Sequence, residues 1–136
     1  MLFLSQFAII QSMKMQYLVR GKVKSGSKRG KDLGFPTANL NLHQNILDGV
    51  YLSEVKIKLA TYSAFTFVGA AKTFGETKRF VESYILNFNK DIYGQWITIR
   101  LFEKIRENIK FNSEAELKEQ MKKDLVIAKK HYRRLI

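Results

Sequence analysis

Three groups of residues in this sequence could do chemistry. They are a threonine and an asparagine two apart, Thr37 and Asn39; a basic, glycine-bearing loop just before them; and a glutamate, Glu82, set in an apolar row. Pro36, the chain's one proline, fixes its own φ and biases Phe35 to an extended backbone. On extended backbone, residues two apart point the same way, so Thr37 and Asn39 would present a hydroxyl and a carboxamide side by side. Mg²⁺ accepts a few such neutral oxygens while keeping waters and binding substrate phosphates. The same pair is also the chemistry of a satisfied turn.

The loop, GKVKSGSKRGKDLG at 21–34, spaces Gly21, Gly26 and Gly30 as G-x₄-G-x₃-G and adds Lys28, Arg29 and Lys31. Glycine permits positive φ and close backbone approach, so successive N–H groups can converge on phosphate oxygens. It is not a Walker loop, because Ser27-Lys28 follows Gly26 in the wrong order. No helical pattern follows, which also excludes a Rossmann fingerprint. Alone, the loop reads equally as a turn with surface lysines.

Glu82 lies in RFVESYILNF (79–88), where Phe80, Glu82, Tyr84, Leu86 and Phe88 would share one strand face. A carboxylate in such a row is costly unless paired or functional. Partial burial would raise its pKa towards neutrality, which suits a general base. The competing reading pairs it with Lys78, Arg79 or Arg100.

These groups need a scaffold, and 136 residues with 46% hydrophobic content fit one domain with one core, rich in its ten Phe. With no cysteine, disulfides, thiolate metal sites and a Cys nucleophile are excluded. Two distant histidines, His43 and His131, favour a hard cation over zinc. A net charge of +12 suits an anionic partner, although scattered lysines more often serve solubility. The apolar start, residues 1–16, lacks a basic n-region and is shorter than the roughly 20 residues that span a bilayer. It reads as an N-terminal extension ahead of a domain over 17–136, in a cytoplasmic protein without a membrane or nucleic-acid partner.

Strands are expected over 17–24, 49–60, 62–71 and 79–88. A turn at Asn89-Lys90-Asp91 would lead to a hairpin partner over 93–102. Within 49–60 the apolar parity slips between Leu52 and Val55, implying a bulge or burial on both faces. Ser113 to Glu116 has capping-box spacing, and Leu117, Met121, Leu125, Ala128 and Tyr132 then recur at helical spacing. Runs of strands followed by one helix read as a mainly β, antiparallel barrel closed by a C-terminal helix, not a doubly wound sheet.

Taken in order, G-F-P-T-A-N (34–39), G-V-Y (49–51), V-E-S-Y-I-L-N-F (81–88), D-I-Y-G (91–94) and I-R-E-N-I-K-F-N-S-E-A-E-L (105–117) resemble the ATP-dependent riboflavin kinases. The resemblance runs from about Tyr17 to the C-terminal helix. It implies a six-stranded Greek-key barrel and transfer of the ATP γ-phosphoryl group to the 5′-hydroxyl of riboflavin, giving FMN. By motif it implies Thr37 and Asn39 as Mg²⁺ ligands, and Gly26, Ser27, Lys28, Gly30 and Pro36, with Thr37, around the nucleotide phosphates. Glu82 would take the hydroxyl proton. Arg106 would stand near the substrates, and Tyr93, Trp96 and Phe111 would flank the flavin ring.

Two departures from many bacterial members bear on the flavin site: 71–74 lacks a proline, and Tyr84 stands where a histidine is common. Nothing resembles the adenylyltransferase domain fused to many relatives, so FAD synthesis is not expected of this chain. It is either a free-standing kinase or a piece of a longer protein. The competing classes are a basic β-barrel that binds nucleic acid and a flavin or nucleotide binder without turnover.

Overall fold

The computed structural model describes residues 14–24, 37–73 and 76–134. Among the described residues six strands precede one helix: β1 (Tyr17–Lys22), β2 (Thr37–Asn41), β3 (Gly49–Ile57), β4 (Ala60–Thr73), β5 (Glu76–Ile85), β6 (Trp96–Arg106) and α1 (Glu114–Arg134). They form one antiparallel sheet in the order β1-β6-β3-β4-β5-β2. β6 returning beside β3 of the β3-β4-β5 meander is the Greek-key connection. The sheet curls until its edges meet at one bridge, where the Lys24 N–H donates to the Asn39 carbonyl at 2.9 Å. The mainly β, six-stranded Greek-key architecture with a C-terminal helix is therefore as the sequence implies.

Alternation decides what fills the barrel. Val19, Ala38, Leu40, Tyr51, Val55, Ala64, Val68, Val81, Ile85, Ile97, Ile99 and Leu101 all point inward into one buried cluster. Each fully buried Val, Leu or Ile contributes about 1.5–3 kcal/mol, so this cluster dominates the fold's stability. Interior hydroxyls pair across three strands: Ser53 Oγ to Thr66 Oγ1, and Thr66 Oγ1 to Ser83 Oγ, each at 2.7 Å. A slip of one residue would break both bonds, which pins the register.

The expected hairpin between 79–88 and 93–102 does not form. β5 already pairs with β4 and β2, so neither edge is open, and β6 pairs with β1 and β3. The intervening chain plugs the barrel end instead, burying Phe88 and Ile92 in the core with Phe88 edge-on to Tyr62 at 4.7 Å. The five-residue row expected around Glu82 is shortened for the same reason. β5 ends at Ile85 and Leu86-Asn87 turn, so Leu86 still packs with Tyr84 in the outer cluster while Phe88 is carried into the interior core. Both alternatives posed for β3 occur. Seven consecutive residues from Gly49 are buried, and the register against β6 shifts between Val50 and Ser53.

α1 starts as expected. Ser113 Oγ accepts the Glu116 N–H at 3.2 Å, while the Glu116 carboxylate reaches one residue further back, to the Asn112 N–H at 3.1 Å. Its apolar stripe packs on the outer sheet face, where Met121, Ala128 and Tyr132 join Val50, Leu52, Phe65, Tyr84 and Phe102. Among the described residues no helix is long and apolar enough to cross a membrane.

Candidate active site

Ala38, Leu40 and Val81 face the barrel interior, so Thr37, Asn39 and Glu82 are turned to the outer face. The register there sets two neighbouring rows. Asn39, Glu82 and Phe67 lie side by side on β2, β5 and β4; Thr37, Tyr84 and Phe65 form the next row. Directly opposed side chains are about 4.5–5.5 Å apart at Cβ, and residues two apart on one strand about 6.8 Å. The hydroxyl, the carboxamide and the carboxylate therefore occupy one small patch. Glu82 is 0% exposed and Asn39 4%. Of the cations offered as partners for Glu82, Arg79 binds Asp48 Oδ1 and the Ile46 carbonyl, both at 2.5 Å. Arg100 lies against Glu54 at 4.0 Å, and Lys78 is exposed.

Gly26, Ser27, Lys28, Gly30 and Pro36 lie outside the described residues. The two ends of their loop are described, and both are fixed beside Asn39. Lys24 bonds to Asn39 itself, and Thr37 is two residues from it. Among the described residues no group of three or more His, Asp or Glu could hold a metal. A cation here would depend on neutral oxygens completed by phosphates and water, and Thr37 and Asn39 fit that hard-oxygen set.

Beside the patch an open cleft encloses ≈ 480 Å³ of atom-free space, part of it open to solvent. Its floor is Val50, Phe65, Phe67 and Tyr84, with Phe65 and Tyr84 stacked at 4.9 Å. Its rim is Ile109 and Phe111 from the β6–α1 connection and Leu117, Met121 and Asp124 from α1. Arg106 completes the wall. Phe67 and Tyr84 belong to the two rows above, so the cleft and the polar patch are contiguous. Arg106 and Phe111 are thus brought to the cleft, whereas Tyr93 (67% exposed) and Trp96 (57%) are not among its lining residues. Trp96 lies under the Arg20 guanidinium, 5.2 Å from its ring centre, on the outer face of β6.

Sequence reasoning missed Asp124 and two of the floor aromatics, Phe65 and Phe67. Asp124 is 1% exposed and held by Arg106 through paired bonds, Nε to Oδ1 and Nη2 to Oδ2, each 2.7 Å. Only its place in the helical stripe, three after Met121 and four before Ala128, could have marked it.

A family model for riboflavin kinase (Flavokinase) matches residues 13–132. The chain belongs to the riboflavin kinase family. It is 35% identical over 116 residues to the bifunctional riboflavin kinase/FMN adenylyltransferase of Haemophilus influenzae, covering 83% of this chain and 38% of that one. It is 31% identical over 117 residues to the RNA-binding riboflavin kinase RibR of Bacillus subtilis, covering 85% of this chain and 51% of that one. A solved structure described as a macrolide-efflux protein from Streptococcus pneumoniae aligns with a TM-score of 0.71 at 36% identity, over 82% of this chain and 38% of that chain. This riboflavin kinase domain thus spans about half or less of each of these proteins.

Proposed function

We propose that this chain phosphorylates riboflavin at its 5′-hydroxyl with ATP, giving FMN. The observation that carries the reading is the adjacency of Thr37, Asn39 and Glu82 to an aromatic-floored cleft in a riboflavin kinase family member. The flavin ring would lie in the cleft against Phe65, Phe67 and Tyr84, with its ribityl chain towards Glu82. Glu82 would accept the hydroxyl proton as the oxygen attacks the γ-phosphorus and the bond to ADP breaks. A positioned base supplies about 10²–10⁴-fold. Thr37 and Asn39 would hold Mg²⁺, which neutralises phosphate charge when bound. The remaining catalysis is positioning: the loop anchored at Lys24 and Thr37 places the nucleotide, and the cleft places the hydroxyl.

The test is incubation of the purified chain with riboflavin, ATP and Mg²⁺, with flavins separated by chromatography. An FMN peak that vanishes with EDTA is expected. Bound riboflavin or ATP with no FMN would point to a binder without turnover.

A second reading, binding of single-stranded RNA alongside the kinase activity, draws on one surface. Arg20 and Lys22 of β1 and Trp96 and Arg100 of β6 share an exposed outer face opposite the interior rows. Cations interleaved with an aromatic suit a single strand. Binding that falls steeply with salt and weakens in Trp96→Ala would support it; no retention of labelled oligonucleotide at low salt would dismiss it.

A further inference from the structure

Asp124 is a carboxylate buried on the sheet-facing stripe of α1, between Met121 and Ala128. Burying an ion there is expensive even when it is paired, and apolar replacements of such pairs are often as stable or more so. Stability alone therefore gives a weak reason for it. Geometry gives a better one. Arg106 is the last residue of β6, and Asp124 grips its guanidinium at two points, with Gln120 Nε2 donating to the same Oδ1 at 3.1 Å. The remaining arm, Nη1, donates to the Glu107 carbonyl at 2.9 Å, so the fork also holds the first residue after the strand. Asn108 Nδ2 donates to the Val68 carbonyl at 2.9 Å, a second tether onto β4. Beyond these tethers the chain carries Ile109 and Phe111 onto the rim of the cleft.

We propose that Asp124 is a positioning residue for the ligand cleft: by clamping Arg106 in the wall, it fixes where Ile109 and Phe111 close over the ring of the bound substrate. This rests on the reading that riboflavin occupies the cleft. A planar guanidinium held at two points has one orientation, whereas a freed one swings and carries the connection with it. The consequence is felt in flavin binding rather than in phosphoryl transfer, because the bonds of the clamp run between the end of β6 and α1, whereas the patch around Glu82 lies on β2 and β5.

The test uses the full chain and riboflavin fluorescence quenching, followed by steady-state kinetics. In Asp124→Asn, the dissociation constant and KM for riboflavin should both rise roughly 30-fold or more, the scale of losing one partner of a buried charge pair. The KM for ATP and kcat should stay within about threefold. A purely structural role would lower the active fraction, and so kcat, without moving KM. The double variant Arg106→Met/Asp124→Leu removes the charges but keeps the volume. It should fold, by circular dichroism, and still bind riboflavin weakly. Wild-type riboflavin KM in either folded variant overturns the proposal, and so does loss of fold in both, which would make the pair structural. No quenching by the wild-type chain would instead defeat the riboflavin reading itself.

Discussion

Asn39 and Glu82 stand directly opposite each other across the β2–β5 ladder, both almost wholly withdrawn from solvent. Withdrawal is expensive for a carboxylate and a carboxamide, yet this pair sits where the edge strands of the curled sheet meet. The carbonyl of Asn39 also accepts the bond from Lys24 that joins those edges. The fold's closure point and the buried Asn39–Glu82 pair are therefore one place.

Glu82→Gln is the direct test of the base. The amide is nearly isosteric and still accepts a hydrogen bond, so the fold and riboflavin affinity should hold. The variant cannot take a proton, and kcat should fall by about 10²–10⁴-fold. Single-turnover measurement of FMN formation separates the chemical step from binding, and wild-type turnover would remove Glu82 from the role of base.

Thr37→Ala removes one oxygen from the proposed cation site and leaves the β2 backbone intact. The Mg²⁺ concentration for half-maximal rate should rise by about tenfold, with riboflavin binding in the absence of nucleotide unchanged. A titration of rate against Mg²⁺ at fixed ATP reads this directly. An unchanged curve would assign Thr37 to packing at the barrel seam.

Glu54 gives a pH-dependent prediction away from the site. It is 6% exposed, and burial raises its pKa above the ordinary 4.5, with Arg100 and Lys56 pulling it back. A folded-state pKa above the unfolded value favours the folded protein at low pH, and that contribution is lost as pH rises through the folded pKa. At neutral pH the ionised carboxylate is thus a cost. Glu54→Gln should raise Tm at pH 7 by about 1–3 °C, with the gain shrinking towards pH 4. A lower Tm at pH 7 would mean that the Arg100 contact outweighs burial.

How much of this was legible in the sequence depends on how local each cause is. Simple alternation put Thr37 and Asn39 on one face, and helical spacing found Met121, Ala128 and Tyr132, because these causes act within a turn or two. The β5–β6 hairpin was misread because sequence proximity favoured it. The actual partners of β6 lie at residues 17–22 and 49–57, and nothing in residues 89–91 reports that both edges of β5 are already taken. Asp124 was invisible for a related reason: a carboxylate interrupts an apolar stripe, and its partner Arg106 is 18 residues away, at the end of β6. Phe65 and Phe67 read as core residues, since burial and a ligand-binding floor use the same apolar side chains.

Tyr132 anchors the far end of the helix, and its removal should separate stability from activity. Its buried hydroxyl lies 2.5 Å from the Ser53 carbonyl and 2.7 Å from that of Ala64, a shared donor, and accepts the Ser53 N–H at 3.2 Å. Ser53 is where the β3–β6 register has shifted, so the phenol serves backbone groups that the ladder leaves displaced. Tyr132→Phe keeps the ring and strands those groups, at a cost of about 1–3 kcal/mol and a Tm fall of about 3–10 °C. Burial also pushes the phenol pKa well above its ordinary value of 10.0. The folded state therefore holds the proton more tightly, and stability present below pH 10 should decline as pH rises beyond it. The variant should lose that alkaline decline along with its stability. Thermal melts at pH 7 and at pH 10–11 read both effects. Riboflavin KM at 25 °C should be unchanged, because the cleft is lined by the first half of α1, through Asp124, and not by Tyr132.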